Sequence, residues 1–257
     1  MKLCNYKGQQ KSITEALQLS VPKHAVISFV GAGGKTSLIF AWAEELAAQG
    51  KKVIVTTTTH MYHPEFAKDT YRGSSIVYYP DYAADSSDLS EDCARIDALL
   101  AKEGIVMIAS EDSDKKRKVK TPPIKLLEYA YEAADVVLIE ADGSGQMPLK
   151  WPKPNEPVVP ECTDFSICVA GLSSIGRPLD EAIYGADYMP KAMSRPLVDE
   201  ELIAAIVSSP DGGLKGTFGD YRVFLNQADT EEIQERAEYI QRILAVRGIQ
   251  SAWGHLR

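Results

Sequence analysis

The sequence predicts a three-layer α/β fold around a mostly parallel central sheet. Three observations carry this expectation. Short β-branched runs recur along the 257 residues. Stretches with apolar residues at helical spacing separate them, and that alternation builds βαβ units. The first strand–helix–strand unit has a short crossover, which implies parallel strands and right-handed winding.

The elements follow in order. "HAVISFV" (24–30) is apolar and β-rich, as a buried parallel strand is. "KTSLIFAWAEELAAQG" places Leu38, Ile39, Trp42 and Leu46 at helical spacing, with Gly50 as the C-terminal cap. "KKVIVTTTT" (51–59) is a second strand running into a threonine loop. Three more strands are expected at "SSIVYY" (74–79), "GIVMIAS" (104–110) and "ADVVLIEAD" (134–142), with helical patterns around 91–102 and 123–133. "GSGQMPLKWPKPNEPVVPE" (143–161) holds five prolines and reads as a rigid, irregular connection, too long for an idle loop. "FSICVAG" (165–171) resumes the sheet, and "LVDEELIAAIVSS" (197–209) is a helix. "YRVFLN" (221–226) is a strong strand leading into a helix that begins near Asp229, and "GIQSAWG" reads as one more edge strand. The organisation expected is a single domain over 1–257, with a proline-rich insertion at about 143–164.

The composition, 45% apolar and 25% charged, is that of a globular chain able to bury a core without disulfides or metals. A net charge of −8 disfavours a broad nucleic-acid or membrane-surface role. Cys4, Cys93, Cys162 and Cys168 form no C-x-x-C pair, so reduced thiols are expected. The N-terminal "MKLCNYKGQQKSITEAL" lacks a long apolar core and a small-residue cleavage site, and no apolar run reaches membrane-spanning length. A cytoplasmic setting is the expectation.

The chemistry concentrates in "SFVGAGGKTS" (28–37). The standard phosphate-binding loop reads G-x-x-x-x-G-K-S/T. Gly34, Lys35 and Thr36 match its end, whereas Phe29 holds the place of its first glycine, so the loop is a shortened cradle. Gly31, Gly33 and Gly34 permit positive φ, and with Ala32 and Ser37 they let main-chain amides reach phosphate oxygens. The following helix aims its positive end at the same point. Lys35 is expected to neutralise the β- and γ-phosphates and Thr36 to ligate Mg²⁺. The fold expected is therefore P-loop NTPase-like, with GTP or ATP as ligand.

"VVLIEADGSG" supplies carboxylates, Glu140 and Asp142, with Glu140-x-x-Gly143 in the form of the E-x-x-G element of GTPases. Ligands sit at the carboxyl ends of central strands in open α/β sheets. Either carboxylate is a candidate to hold the metal with Thr36, and one of them, or the threonine loop, is expected to orient the attacking water. In "VTTTTH" (55–60), Thr58, Thr59 and His60 are candidates for γ-phosphate, metal or substrate contacts; His60 and His63 alone are weak zinc ligands. Asn226-x-x-Asp229 in "FLNQAD" matches the N-K-x-D guanine reader, with Gln227 in place of the lysine. The alternative is that Asp229 and Glu232 open the last helix as a capping box. "EDSDKKRKVKT" (111–121) is a solvated loop or, through Lys118 and Lys120, a lid over a polyanion.

Taken together, "VGAGGKTS", "VTTTTH", "IEADGSGQMPLKWPKPNEPVVP", "GLSSIGRPL" and "LNQAD" resemble the YqeC family, from about Val26 to about Asp229. That family is described as selenium-cofactor or selenium-dependent molybdenum-hydroxylase accessory proteins. The resemblance implies that the positions to watch are Gly31–Thr36, Thr56–His60, Glu140–Gly143, Lys150, Glu156 and Asn226–Asp229. Gln227 departs from the commoner lysine, which bears on nucleotide preference. Individual parts are also similar to metal-centre maturation GTPases and to the Mur peptide ligases. The function expected is a Mg²⁺-dependent NTPase, GTP slightly favoured, that assists maturation of a selenium-dependent molybdenum hydroxylase, with that enzyme or its cofactor-assembly proteins as partner. Its alternatives are a nucleotide-gated interaction protein and a ligase or kinase activating a small acid. Lys150 and Glu156 are expected over the site as substrate or partner contacts, or else in a rigid surface crossing.

Overall fold

A computed structural model describes residues 2–4, 11–62, 75–79, 89–112 and 118–256. The first half contains β1 (Lys2–Cys4), α1 (Ile13–Ala16), β2 (Ala25–Gly31), α2 (Lys35–Ala48), β3 (Val53–Thr57), β4 (His60–Tyr62) and β5 (Ser75–Tyr79). Then come α3 (Ser90–Glu103), β6 (Ile105–Glu111), β7 (Lys118–Lys120), α4 (Ile124–Ala133), β8 (Val136–Glu140) and β9 (Leu149–Lys150). The chain continues with β10 (Phe165–Gly171), α5 (Leu179–Ala182), β11 (Ile183–Tyr184), α6 (Glu200–Ser208), β12 (Asp220–Asn226), α7 (Glu231–Val246) and β13 (Gln250–His255).

The architecture is a three-layer α/β fold around a large, mostly parallel central sheet. The large sheet runs β1-β13-β12-β10-β2-β8-β3-β6-β7-β4, with β5 also on β6. From β13 to β6 every neighbouring pair is parallel. Alternate residues of each strand enter opposite layers. Ile27 and Phe29 of β2 pack with Leu38 and Trp42 of α2, and Phe29 meets the Trp42 ring edge-on at 6.0 Å. Val26 joins α3 and α4 on the other face, while Val30 joins α6 and α7 there.

The topology decides where a ligand can sit. From β2 the chain crosses to β3 on one side; from β8 it later crosses back to β10 on the other. The carboxyl end of β2 therefore faces a crevice from which connections leave in opposite directions, the place where open sheets take ligands. Register then sets the rim: Glu140 lies beside both Phe29 and Thr57, Val169 beside Gly31, and Asn226 beside Gly171.

Several expectations need correction. "GIQSAWG" is not an edge strand, because β1 pairs antiparallel outside β13. The proline-rich connection is not free of regular structure: Leu149–Lys150 pairs in parallel with Ile183–Tyr184. The charge block is not all loop, since β7 pairs antiparallel with β4 and touches the end of β6 at Ser110 and Glu111. Two-residue and three-residue strands leave no periodicity to read. Helix α7 is capped by Thr230, whose side chain accepts from Ile233 N, so Asp229 and Glu232 form no capping box. Gln49 is the C-cap of α2, and Gly50 follows it at φ +81°. His63 lies outside the described residues.

Candidate functional site

The glycine loop takes its shape from close backbone contacts. Gly31, Gly33 and Gly34 have φ of +88°, +84° and +118°. A Cβ on Gly33 would lie 2.4 Å from Gly171 Cα and 2.6 Å from Pro148 O; one on Gly34 would lie 2.2 Å from Asn226 Nδ2. The backbone is bare there because neighbouring elements occupy the space a side chain would need. Ala32 N–H donates to Val169 O at 2.8 Å, and Asn226 Nδ2 donates to Gly33 O at 2.8 Å. Gly34 is the N-cap of α2 and brings no side chain to its amides. The first-turn N–H groups of Lys35, Thr36 and Ser37 lack intrahelical acceptors by helix geometry.

Lys35 and Asp142 form the buried centre. The ammonium lies 3.0 Å from Asp142 Oδ1, with side chains 3% and 2% exposed, and it donates to Gly31 O at 2.5 Å. Burial alone would lower the Lys35 pKa, but Asp142 and Glu140 outweigh it and hold the group above its ordinary value. Asp142 Oδ2 accepts from Gly31 N–H at 3.0 Å and lies 3.3 Å from Lys150 Nζ. Lys150 in turn is 2.9 Å from Glu156 and donates to Gly143 O. Four charged side chains thus run from the cradle into the proline-rich segment.

Glu140 faces the other way. Thr36 Oγ1 donates to its Oε2 at 2.7 Å, and the Thr57 hydroxyl donates to its main-chain oxygen at 2.8 Å. Burial pushes the Glu140 carboxyl above its usual range, with Lys35 and the Thr36 hydrogen bond opposing. Thr36 and Glu140 line a cleft of about 410 Å³ together with Gly33, Lys35, His60 and Arg177. Its size is that of an ordinary small-molecule site. A second cavity of about 310 Å³ adjoins it, sharing Gly34, Ser37, Ser173 and Gln227, and is closed by Asn226, Asp229 and His255. Asn226 is 4% exposed, and its Oδ1 is a buried acceptor without a hydrogen-bond donor.

The remaining expected residues are placed as follows. His60 is on the cleft wall and pairs with Asp112 at 3.4 Å. Thr58 donates to Val158 O at 2.5 Å and Thr59 N–H to Thr57 Oγ1 at 3.1 Å, so both brace the loop after β3. Lys150 and Glu156 stand behind the cradle and do not line the cleft. Lys118 does line it. Among the described residues no three His, Cys, Asp or Glu side chains converge to hold a metal. The oxygens of Thr36 and Glu140 suit Mg²⁺, which commonly takes one or two protein ligands and completes its shell with phosphates and water.

Sequence reasoning missed three participants. Ser173 Oγ donates to Gln227 Oε1 at 2.6 Å, Gly171 packs against Gly33, and His255 bonds Asp229. Gly171 ends a strand and opens "GLSSIG", which also holds Ser173, so the stretch was a usable signal; nothing in the sequence singles out His255.

The family model described as YqeC protein matches residues 27–186, a span that holds the cradle, both carboxylates and the proline-rich segment. The chain belongs to the YqeC family. The protein named Uncharacterized protein YqeC of Escherichia coli (strain K12) is 38% identical over 151 residues, covering 59% of this chain and 53% of that one. The match thus spans about half the length of this curated YqeC relative. Among solved structures, a GTPase in apo form from Pyrococcus abyssi overlaps 86% of this chain and 78% of its own at 12% identity, with a TM-score of 0.32. The YqeC match ends at residue 186, so Asn226, Asp229 and His255 lie beyond it. Among the described residues no helix is long and apolar enough to cross a membrane.

Proposed function

We propose that this YqeC protein binds a nucleoside triphosphate with Mg²⁺ in the cleft, GTP in preference to ATP. In this reading it hydrolyses the nucleotide while assisting maturation of a selenium-dependent molybdenum hydroxylase in the cytoplasm, as a single domain whose proline-rich insertion meets the client. The observation that carries the nucleotide reading is the bare glycine loop with Lys35 buried at its centre and Thr36 on Glu140. The client comes from the family's description alone.

In this reading the amides of Gly33 to Ser37 and the Lys35 ammonium grip the β- and γ-phosphates, and Lys35 leaves Asp142 to do so. Thr36 and Glu140 would hold Mg²⁺, which when bound supplies positive charge against the phosphate oxygens. Glu140 or the loop after β3 orients water at the γ-phosphate. Positioning and charge neutralisation supply the acceleration, with no covalent step on the protein.

Calorimetry with GTP and with ATP, each with Mg²⁺, tests the binding claim. Micromolar binding by the wild type and its loss in Lys35→Ala are expected. A wild type that binds neither nucleotide, or a Lys35→Ala variant that still hydrolyses normally, overturns it. Phosphate release with and without a molybdenum hydroxylase client tests the maturation role; stimulation by the client is expected.

A second reading, a nucleotide-gated interaction protein with little turnover, is favoured by the chain Lys35–Asp142–Lys150–Glu156. Phosphate that draws Lys35 away leaves Asp142 to Lys150 and loosens Lys150 from Glu156, altering the proline-rich surface. Tight binding without client-stimulated turnover selects this reading.

A further inference from the structure

The last residue of β12 and the three that follow it are each anchored. Asn226 Nδ2 donates to Gly33 O at 2.8 Å, which ties it to the phosphate cradle. Gln227, at φ +68°, accepts from Ser173 Oγ at 2.6 Å. Ala228 N–H donates to Gly254 O at 3.1 Å, and Gln234 Nε2 donates to Ala228 O at 3.1 Å. Asp229 Oδ1 then meets His255 Nδ1. A carboxylate only accepts, so Nδ1 carries the hydrogen. Both side chains reach solvent, Asp229 at 56% and His255 at 32%, and both line the 310 Å³ cavity beside the cradle. That cavity also contains the buried Asn226, whose Oδ1 lacks a donor.

We infer that this cavity is a nucleobase subsite in which the Asp229 carboxylate selects a base presenting two adjacent N–H donors, as guanine does, and His255 positions that carboxylate. The inference rests on the GTP reading above and adds to it the cavity that takes the base and the residue, His255, that positions the base-reading carboxylate. With phosphates over Gly33 to Ser37, the two cavities meet at Gly34 and Ser37, so the sugar and base of the same ligand run toward Asp229. His255 holds one carboxylate oxygen and leaves the other for the ring N–H and exocyclic amine. Adenine, with an acceptor at ring N1 where guanine has a donor, meets repulsion there. His255 is a positioning residue, delivered by a strand end that the sheet brings beside β12.

The test measures affinities for GTP, ITP, ATP and inorganic tripolyphosphate, each with Mg²⁺, in wild type, His255→Ala, His255→Asn and Asp229→Asn. Thermal unfolding confirms that each variant folds. Wild type is expected to prefer GTP over both ATP and ITP, because ITP lacks the exocyclic amine. His255→Ala is expected to reduce the GTP:ATP ratio about tenfold, the scale of one charge-assisted hydrogen bond, with tripolyphosphate affinity unchanged. His255→Asn, whose amide reaches the same place as Nδ1, is expected to restore much of the ratio. Asp229→Asn is expected to lose the ratio.

Loss of the ratio in Asp229→Asn but not in His255→Ala overturns the positioning role of His255. An unchanged ratio in both, or a wild type that prefers ATP, overturns the base subsite while leaving the cradle standing. A wild type that binds neither tripolyphosphate nor any nucleotide takes the cradle and the subsite down together.

Discussion

Lys35 Nζ lies 3.0 Å from Asp142 Oδ1, and the same carboxylate reaches Gly31 N–H and Lys150. The cation of the glycine loop is therefore neutralised by the protein itself. Any phosphate has to compete with a buried carboxylate for it. The same pairing makes Asp142 the hub of the site's stability, because it compensates two buried ammonium groups.

Asp142→Ala is accordingly expected to destabilise the fold by about 3–5 kcal/mol, the cost of leaving buried charge uncompensated. Lys35→Ala should cost less, since Asp142 keeps Lys150 and the Gly31 amide. Urea denaturation of both variants checks the ordering. Equal losses would mean that Lys150 does not share the charge.

Gly33→Ala and Gly50→Ala separate crowding from backbone strain. Both glycines have similar positive φ, +84° and +81°. A Cβ at Gly50 meets nothing within 4 Å, whereas at Gly33 it collides with Gly171 and Pro148 O. Gly50→Ala is expected to cost about 1–2 kcal/mol from left-handed conformation alone. Gly33→Ala should cost more and weaken triphosphate binding. Melting temperatures and calorimetry distinguish the two, and similar losses would refute the crowding.

Asp199 provides a pH test away from the site. Partial burial pushes its carboxyl upward, but hydrogen bonds from Arg195 and from the Leu202 amide outweigh this, so its pKa is lowered on folding. A depressed carboxyl adds stability above its unfolded value and loses it as pH falls through the folded one. Asp199→Ala, which also removes the N-cap of α6, is expected to cost about 1 kcal/mol at pH 7. The deficit should shrink below about pH 4, where the wild-type carboxyl is itself becoming protonated in the unfolded chain. Urea midpoints at pH 7 and pH 3.5 measure it; a constant deficit contradicts the linkage.

Two cysteines should differ sharply toward alkylation. Cys162 is exposed, while Cys168 is buried beside the glycine loop with its thiol pushed up to about 12, mainly by burial. At pH 8 iodoacetamide is expected to modify Cys162 within minutes and Cys168 only after denaturation, read by peptide mass spectrometry. Early labelling of Cys168 would contradict the packing of β10 against β2.

The parallel strands and their order of helices were legible because each strand is a continuous apolar run and each helix carries a 3.6-residue period. The glycine loop was legible because Gly31, Gly33 and Gly34 stand where the backbone takes positive φ, which glycine adopts without strain. Glu140 and Asp142 were legible as ionised groups ending a buried strand. Their division of labour was not: Asp142 turning to Lys35 and Glu140 to Thr36 depends on how β2 and β8 register. Asp229 and Thr230 both have the chemistry of a cap, and the choice fell to Thr230 because its backbone is extended while Asp229 bonds His255. Ser173 and Gln227 stand 54 residues apart and meet only because β10 pairs with β12. The β4–β7 pair is three residues long and lies partly in a charge block, so no pattern announces it.

The interlock of Gly33 against Gly171 and Pro148 O, with the Asn226 side-chain amide clamped on Gly33 O, fixes the loop from three separate segments, two by main chain and one by a side chain. On the proposed reading, a polyanion binding there would meet a preorganised loop and spend little free energy on immobilising chain, so more of the contact energy would be retained as affinity. Recognition should then be rapid and nearly rigid at the loop itself, with adaptation confined to the Lys35 side chain and the charged segment behind it.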